Sequence, residues 1–217
     1  MNSLSNPALV LASRSPRRRD LLAALELPFF VHVAAVDEAQ AEREAPQALV
    51  RRLSRAKAAA VAAAHPGGTI VIGADTVVVL DGEVLGKPRD AEDARQTLRA
   101  LRNRSHSVYS AVAVLEAASE RQALAVCESQ VWMRDYDEAE IAIYVAGGDP
   151  MDKAGSYAIQ HQGFAPVMRI EGCYASVMGL PLGHLARALA DLGVVIPLDV
   201  AKACTAITGA DCCLPLP

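Results

Sequence analysis

Residues 69–88, TIVIGADTVVVLDGEVLGKP, constrain the fold more than any other stretch. The segment is apolar and rich in β-branched residues, so it reads as strand. Asp81-Gly82 inside it is a two-residue hairpin signal. One acid, Asp75, interrupts the apolar run. A carboxylate there is expensive unless it ligates a metal, is paired, or does acid–base work. A turn aspartate is the plain structural alternative.

Strand and helix patterns alternate around this hairpin. ALVLAS (8–13) reads as a short buried strand whose carboxyl end delivers the chain to a helix over 16–26, with Ser15 as N-cap and Pro16 at the first helical position. FFVHVAAV (29–36) reads as a second strand, ending at Asp37-Glu38. An Ala-rich helix follows over 45–65, with Leu49, Val50, Leu53, Ala56, Ala60 and Val61 at helical spacing, and Pro66-Gly67-Gly68 stops it. Asp90 caps a helix over 91–102, with Asp93 placed as in a capping box. Residues 106–116 and 123–134 read as strands, Asp137 caps a helix to about Val145, and a final helix spans 181–192. Helices interleaved with hairpins predict an α/β fold with a mixed sheet.

The chain has 217 residues, 52% of them apolar, enough for a sizeable core. A net charge of −4 gives no global basic field, so nucleic acid is not an expected partner. No apolar run reaches the ~20 residues that cross a bilayer, so no membrane association is expected. In the first 19 residues the charges follow the apolar run instead of preceding it, a poor signal peptide, and the expected location is the cytoplasm. Cys127, Cys173, Cys204, Cys212 and Cys213 show no C-x-x-C spacing, and reduced structural thiols are expected.

The helix start SPRRR poses an electrostatic question. Helix amino ends carry about +0.5 charge and favour acids, yet Arg17, Arg18 and Arg19 stand there. Free N–H groups and guanidinium groups together suit a phosphate, which would offset the repulsion. Lys87 in GKP follows the hairpin and can return to the same end of the sheet. DPMDKAGSYAIQ (149–160) joins Lys153 to a Gly-rich turn and to Gln160, whose amide suits a base edge. No G-x-G-x-x-G or Walker-type loop occurs. His106 and His184 read as structural, Trp132 as core, and Arg51, Arg52 and Arg55 as a solvated helix face. Basic groups from separated segments, with Glu38 and Asp75, suit a phosphate ester with Mg²⁺ or Mn²⁺.

Together LASRSPRRRDLL, VDE, GADTVVVLDGEVLGKPRDAEDARQTLRAL, DKAGSYAIQ and VMGLPL resemble the Maf family of nucleotide pyrophosphatases, in order and spacing over residues 8–192. The resemblance implies an elongated mixed β-sheet flanked by helices, with two lobes around a central cleft, similar to the inosine triphosphate pyrophosphatase fold. It implies a single domain over 1–196, leaving 197–217 as a C-terminal extension. It implies metal-dependent hydrolysis of nucleoside triphosphates to monophosphate and pyrophosphate. By motif, Asp75 would activate water, Ser13, Arg18, Lys57, Lys87 and Lys153 would hold the triphosphate, and Glu38 would help Asp75 bind the divalent cation. Arg17, Thr76 and Gln160 resemble the subgroup acting on dTTP and UTP. The sister subgroup, acting on 7-methyl-GTP, typically has Trp, Gln and Glu in those places. Asn103 stands where the family commonly has Gly, and Ser110 where Thr is usual. A homodimer is implied by the resemblance alone. A non-catalytic nucleotide-binding regulator linked to cell division is the alternative reading, and a nucleotidyltransferase is a third.

Overall fold

The β-branched segment forms the hinge of the whole sheet. The computed structural model describes residues 7–213; the first six and last four residues of the two spans expected above lie outside the described residues. Strands β1 (Leu9–Leu11), β2 (Phe29–Val31), β3 (Ile70–Leu80), β4 (Glu83–Leu85), β5 (Ser105–Glu116), β6 (Gln122–Met133) and β7 (Val167–Glu171) make one sheet. Its order is β2-β1-β3-β5-β6-β7, with β4 also on β3. β1 runs parallel to β2 and β3, and the remaining pairs are antiparallel. The sheet is mixed, as expected.

Helices α1 (Pro16–Ala23), α2 (Pro46–Ala62), α3 (Ala91–Leu101), α4 (Glu138–Ala146), α5 (Tyr174–Met178), α6 (Leu182–Asp191) and α7 (Val200–Thr208) flank it. Side chains alternate across a strand, and β3 shows both faces at work. Val71, Val77 and Val79 pack under α2. On the other face, Ile70 and Ile72 join a core with α1 and α6 (Leu21, Leu22, Leu185, Leu189). Further along that face, Val78 and Leu80 join a second core with α3 and α4 (Leu98, Leu101, Ile141, Tyr144). These two cores, set along the same strands, are the two lobes, and Thr76 lies between them.

Gly73 decides how close α2 can come. A Cβ there would stand 2.2 Å from the Ser54 carbonyl and 2.8 Å from the Ala58 nitrogen. Only a glycine lets the helix backbone rest on the strand at this point. The next turn of α2 carries Lys57, and two residues along β3 is Asp75.

Several local expectations need correction. The strand at 29–36 ends at Val31, because its partner β1 is three residues long; Asp37 and Glu38 follow on irregular chain. The helix at 182–191 is not the last, since Asp199 caps α7 through the N–H groups of Ala201 and Lys202. Asp90 accepts the Asp93 N–H at 2.8 Å, but Asp93 reaches back to the Arg89 N–H instead of closing a capping box. Glu140 and Asp137 do form one at α4. Trp132 is half-buried beneath the Arg169 guanidinium, 4.2 Å from the ring centre, and is not core. Asn103 has φ 54°, the left-handed region in which Asn is among the tolerated residues and Gly is favoured.

His106 on β5 is 3% exposed. Its Nε2 lies 2.8 Å from the Tyr157 hydroxyl, and burial pushes the imidazole down to about 4. The unfolded chain therefore takes up that proton first as pH falls. The contribution is complete above about pH 6.5 and is lost on descent toward pH 4. Between pH 7 and 5 this group alone should lower stability by about 2 kcal/mol, and His106→Gln should remove that share of the pH dependence in urea unfolding. At neutral pH, Gly73→Ala should destabilise the protein by about 3 kcal/mol or more, read from the urea midpoint.

Candidate functional site

β1 pairs with β3 up to Leu11 opposite Ile72, and β4 pairs with the same edge from Leu85 opposite Val78. Among the described residues nothing pairs with that edge over residues 73–77, although β5 covers the other edge throughout. A cleft of about 910 Å³ opens at this gap. The end of β1, the start of α1, chain 33–40, α2, the end of β4 and residues 152–160 surround it. All ten residues picked from the sequence line it: Ser13, Arg17, Arg18, Glu38, Lys57, Asp75, Thr76, Lys87, Lys153 and Gln160. Ligands of open α/β sheets favour such a place, at the carboxyl end of a parallel strand where the topology reverses.

Alternation along β3 aims Asp75 at α2 and Thr76 at the opposite face. Asp75 is 7% exposed. Lys57 Nζ donates to Asp75 Oδ1 at 2.7 Å and stands 2.6 Å from Glu38 Oε1. Among the described residues no donor reaches Asp75 Oδ2. Burial works against the Glu38 charge, but Lys57, then Lys87 and Arg18, outweigh it and hold this carboxyl below its usual range.

Arg18 answers the electrostatic question of the helix start. Its Nε donates to the Gly179 carbonyl at 2.8 Å and Nη1 to the Ala74 carbonyl at 2.9 Å. Weaker bonds reach the Ser13 hydroxyl at 3.4 Å and the Thr76 hydroxyl at 3.3 Å. The guanidinium is thus braced by backbone oxygens from β3 and from the turn after α5. One of its five N–H groups is left over for the cleft. Burial lowers its pKa, and Asp75 offsets part of that shift.

Behind Thr76 runs a directed chain of hydroxyls. Ser110 donates to the Ser176 carbonyl at 2.6 Å, so its only proton is committed. Thr76 must then donate to Ser110 Oγ across 2.7 Å and accept from Arg18. Ser129 and Ser176 continue the network to the Cys173 carbonyl. Buried hydroxyls satisfied in this way hold β3, β5, β6 and α5 in one register.

The other cations differ in availability. Lys153, 7% exposed, spends its three donors on the Asp149 carbonyl at 2.5 Å, Asp149 Oδ1 at 3.0 Å and Asp152 Oδ1 at 2.6 Å. It fastens its own loop, and a phosphate would have to displace a carboxylate. Arg17 lies 3.5 Å from Asp152. Lys87 is exposed and has no ion pair among the described residues. Gln160 is exposed at the cleft wall.

Sequence reading missed Ser176 and Gly179, and it missed the tasks of Gly73 and Asp149 within the stretches it singled out. Gly73 was legible as a glycine inside a β-branched run, a mark of close backbone approach. The serines carried no comparable mark.

With that geometry established, the relatives are informative. Residues 8–192 match the family described as Maf-like protein. A dTTP/UTP pyrophosphatase of Pelotomaculum thermopropionicum is 49% identical over 185 residues, covering 85% of this chain and 96% of that protein. One from Salinibacter ruber is 49% identical over 182 residues, 83% and 89% of the two chains. One from Dictyoglomus thermophilum is 46% identical over 186 residues, 85% and 96%. Among solved structures, a nucleoside-triphosphatase / dITP/XTP pyrophosphatase from Mycobacterium abscessus covers 85% of this chain and 94% of its own, at TM-score 0.41 and 14% identity, a distant likeness.

Lys57 is the group that lets Glu38 and Asp75 approach each other. Lys57→Met should raise the Glu38 carboxyl back toward the ordinary carboxylate value, as read by carbon-13 NMR titration. An unmoved titration would show that Lys57 does not act on Glu38.

Proposed function

Because this chain belongs to the Maf-like protein family, we propose that it hydrolyses dTTP and UTP to the monophosphate and pyrophosphate. One observation carries the reading: a buried acid, Asp75, faces the cleft at the unpaired stretch of β3, with basic groups from four separate segments around it. A purely binding module has no need of a buried base at that point. An acceptor alcohol, which a nucleotidyltransferase requires, is not needed for hydrolysis by water.

In the proposed reaction Asp75 Oδ2 takes a proton from water as the water attacks the α-phosphorus. Lys57 fixes the other carboxylate oxygen and so sets the direction of the free one. Lys87, Arg17 and the remaining Arg18 N–H offset charge on the phosphate chain as it develops in the transition state. Lys153 joins them when it exchanges Asp152 for phosphate, and Ser13 contributes its hydroxyl. The Gln160 amide pairs with O4 and N3–H of a pyrimidine, while Thr76 holds the floor beneath. Pyrophosphate leaves.

The donor set fits a divalent cation. Glu38 Oε1 and Asp75 Oδ1 converge on the Lys57 ammonium, so a cation here would take the remaining carboxylate oxygens, and no group of three or more His, Cys, Asp or Glu suited to a metal exists among the described residues. Mg²⁺ is commonly held by one or two carboxylates, with phosphate and water completing the shell. Glu38 and Asp75 would hold it, and when bound Mg²⁺ or Mn²⁺ would neutralise phosphate charge. We assign the catalytic unit to residues 1–196, with 197–217 as an extension. The working location is the cytoplasm, and a homodimer is the proposed assembly. No helix among the described residues is long and apolar enough to cross a membrane.

Asp75→Asn should bind nucleotide nearly as well as the parent and lower kcat by ~10²-fold or more, measured as pyrophosphate released from dTTP. Near-parental kcat would refute the assignment of the base.

A further inference from the structure

The proposed reaction uses no thiol, yet all five cysteines gather on one flank of the molecule. Cys127, Cys173 and Cys204 are buried in the core that includes β1, and Cys212 and Cys213 pack against it. None is disulfide-bonded. Two backbone features bring three of them together. Cys127 and Ser129 share one face of β6, two residues apart. The Ser129 hydroxyl accepts the Cys173 N–H at 3.0 Å, which lays Cys173 beside Cys127. At the other end of the chain, α7 buries Val200 and Cys204 and stops at Gly209, φ 71°. The Thr208 hydroxyl accepts the Ala210 N–H at 3.2 Å and tightens that turn. The chain doubles back and packs Cys213 against the core that holds Cys127 and Cys173, near enough for the three side chains to interact, with Cys212 beside Cys204.

The trio joins two parts of the chain of different standing. Cys127 and Cys173 lie inside the family match, which ends at residue 192, and Cys213 lies beyond it. We propose that Cys127 and Cys213 are the site of a reversible intramolecular disulfide, formed with a peroxide as oxidant, that fastens the C-terminal segment to β6.

The chemistry balances without a further reactant. A thiolate sulfur attacks one peroxide oxygen, the O–O bond breaks, and the departing hydroxide takes a proton to become water. The resulting sulfenic sulfur is attacked by the second thiol; the S–S bond forms, the S–O bond breaks, and a second water leaves. Two thiols are oxidised and one peroxide is reduced to two waters. Interaction with Cys173 and then Cys213 pulls the Cys127 thiol below its ordinary value. His184 on α6 lies near Cys127, and its Nδ1 is buried without a hydrogen-bond partner.

Cys213 is the arm of the pair that lies outside the family match. It follows the last helix and is only partly buried. Cys173 has its N–H and carbonyl both held by hydroxyls of Ser129 and Ser176, so it has little freedom to reach bonding geometry. Cys127 stands opposite Ser110 on β5, the residue that links Thr76 to α5. The bridge therefore anchors the tail on the strand behind the cleft.

The test treats the full chain with a small excess of hydrogen peroxide, blocks remaining thiols and maps peptides under non-reducing conditions. A Cys127–Cys213 linked peptide, lighter by two hydrogens and reversed by dithiothreitol, is the expected result. Oxidation should raise the melting temperature of the parent and of Cys212→Ser, and leave that of Cys213→Ser unchanged. A Cys127–Cys173 bridge, a Cys212–Cys213 bridge, or sulfinic acid with no bridge would overturn the proposal. The map of the parent chain decides the matter even if Cys213→Ser fails to fold.

Discussion

The contact of α2 with β3 at Gly73 is the constraint on which the site depends. A helix normally stands off a sheet by the depth of its side chains. Here the Ser54 carbonyl and the Ala58 nitrogen occupy the space where any Cβ would lie. The helix is drawn in, and Lys57 comes within 2.7 Å of Asp75 while still touching Glu38. Packing and electrostatics are coupled at this point. Leu49, Val50 and Leu53 bury against Val77 and Val79, which secures the helix, and the helix carries the ammonium that makes a buried carboxylate tolerable. Among the described residues the same strand is unpaired on one edge over residues 73–77, so the acid is held firmly and still meets the cleft.

The opposite face of β3 is organised by polar bonds. Arg18, Thr76, Ser110 and Ser176 form a chain in which each proton has one destination. The three arginines at the start of α1 are therefore not equivalent. Arg18 is a brace between lobes, Arg17 meets Asp152 across the cleft wall, and Arg19 is exposed. Cationic residues that a motif would class together thus have different tasks. Lys57 and Lys153 are occupied by carboxylates, whereas Lys87 is exposed on the cleft with no ion pair among the described residues.

Much of this was legible in the chain itself. The Asp81-Gly82 turn, the buried Asp75 and the Ser15-Pro16 helix start are local features, and local chemistry determines them. The site residues were found by motif, and the fold then brought all ten to one cleft. What escaped was non-local. FFVHVAAV has strand composition along its whole length, but a strand persists only as far as its partner, and β1 stops at Leu11. Helix α7 was hidden in a tail without an evident period. Ser176 and Ser129 look like any surface serines until the strands are paired. The meeting of Cys127, Cys173 and Cys213 depends on how the end of the chain turns, which no spacing rule records.

The central claim is that water, deprotonated at the unpaired stretch of β3, attacks the phosphorus attached to the nucleoside. Phosphorus-31 NMR of dTTP turned over in oxygen-18 water tests it in one spectrum. The account predicts unlabelled pyrophosphate and a dTMP resonance carrying the isotope shift. Label in pyrophosphate, or release of orthophosphate, would contradict it.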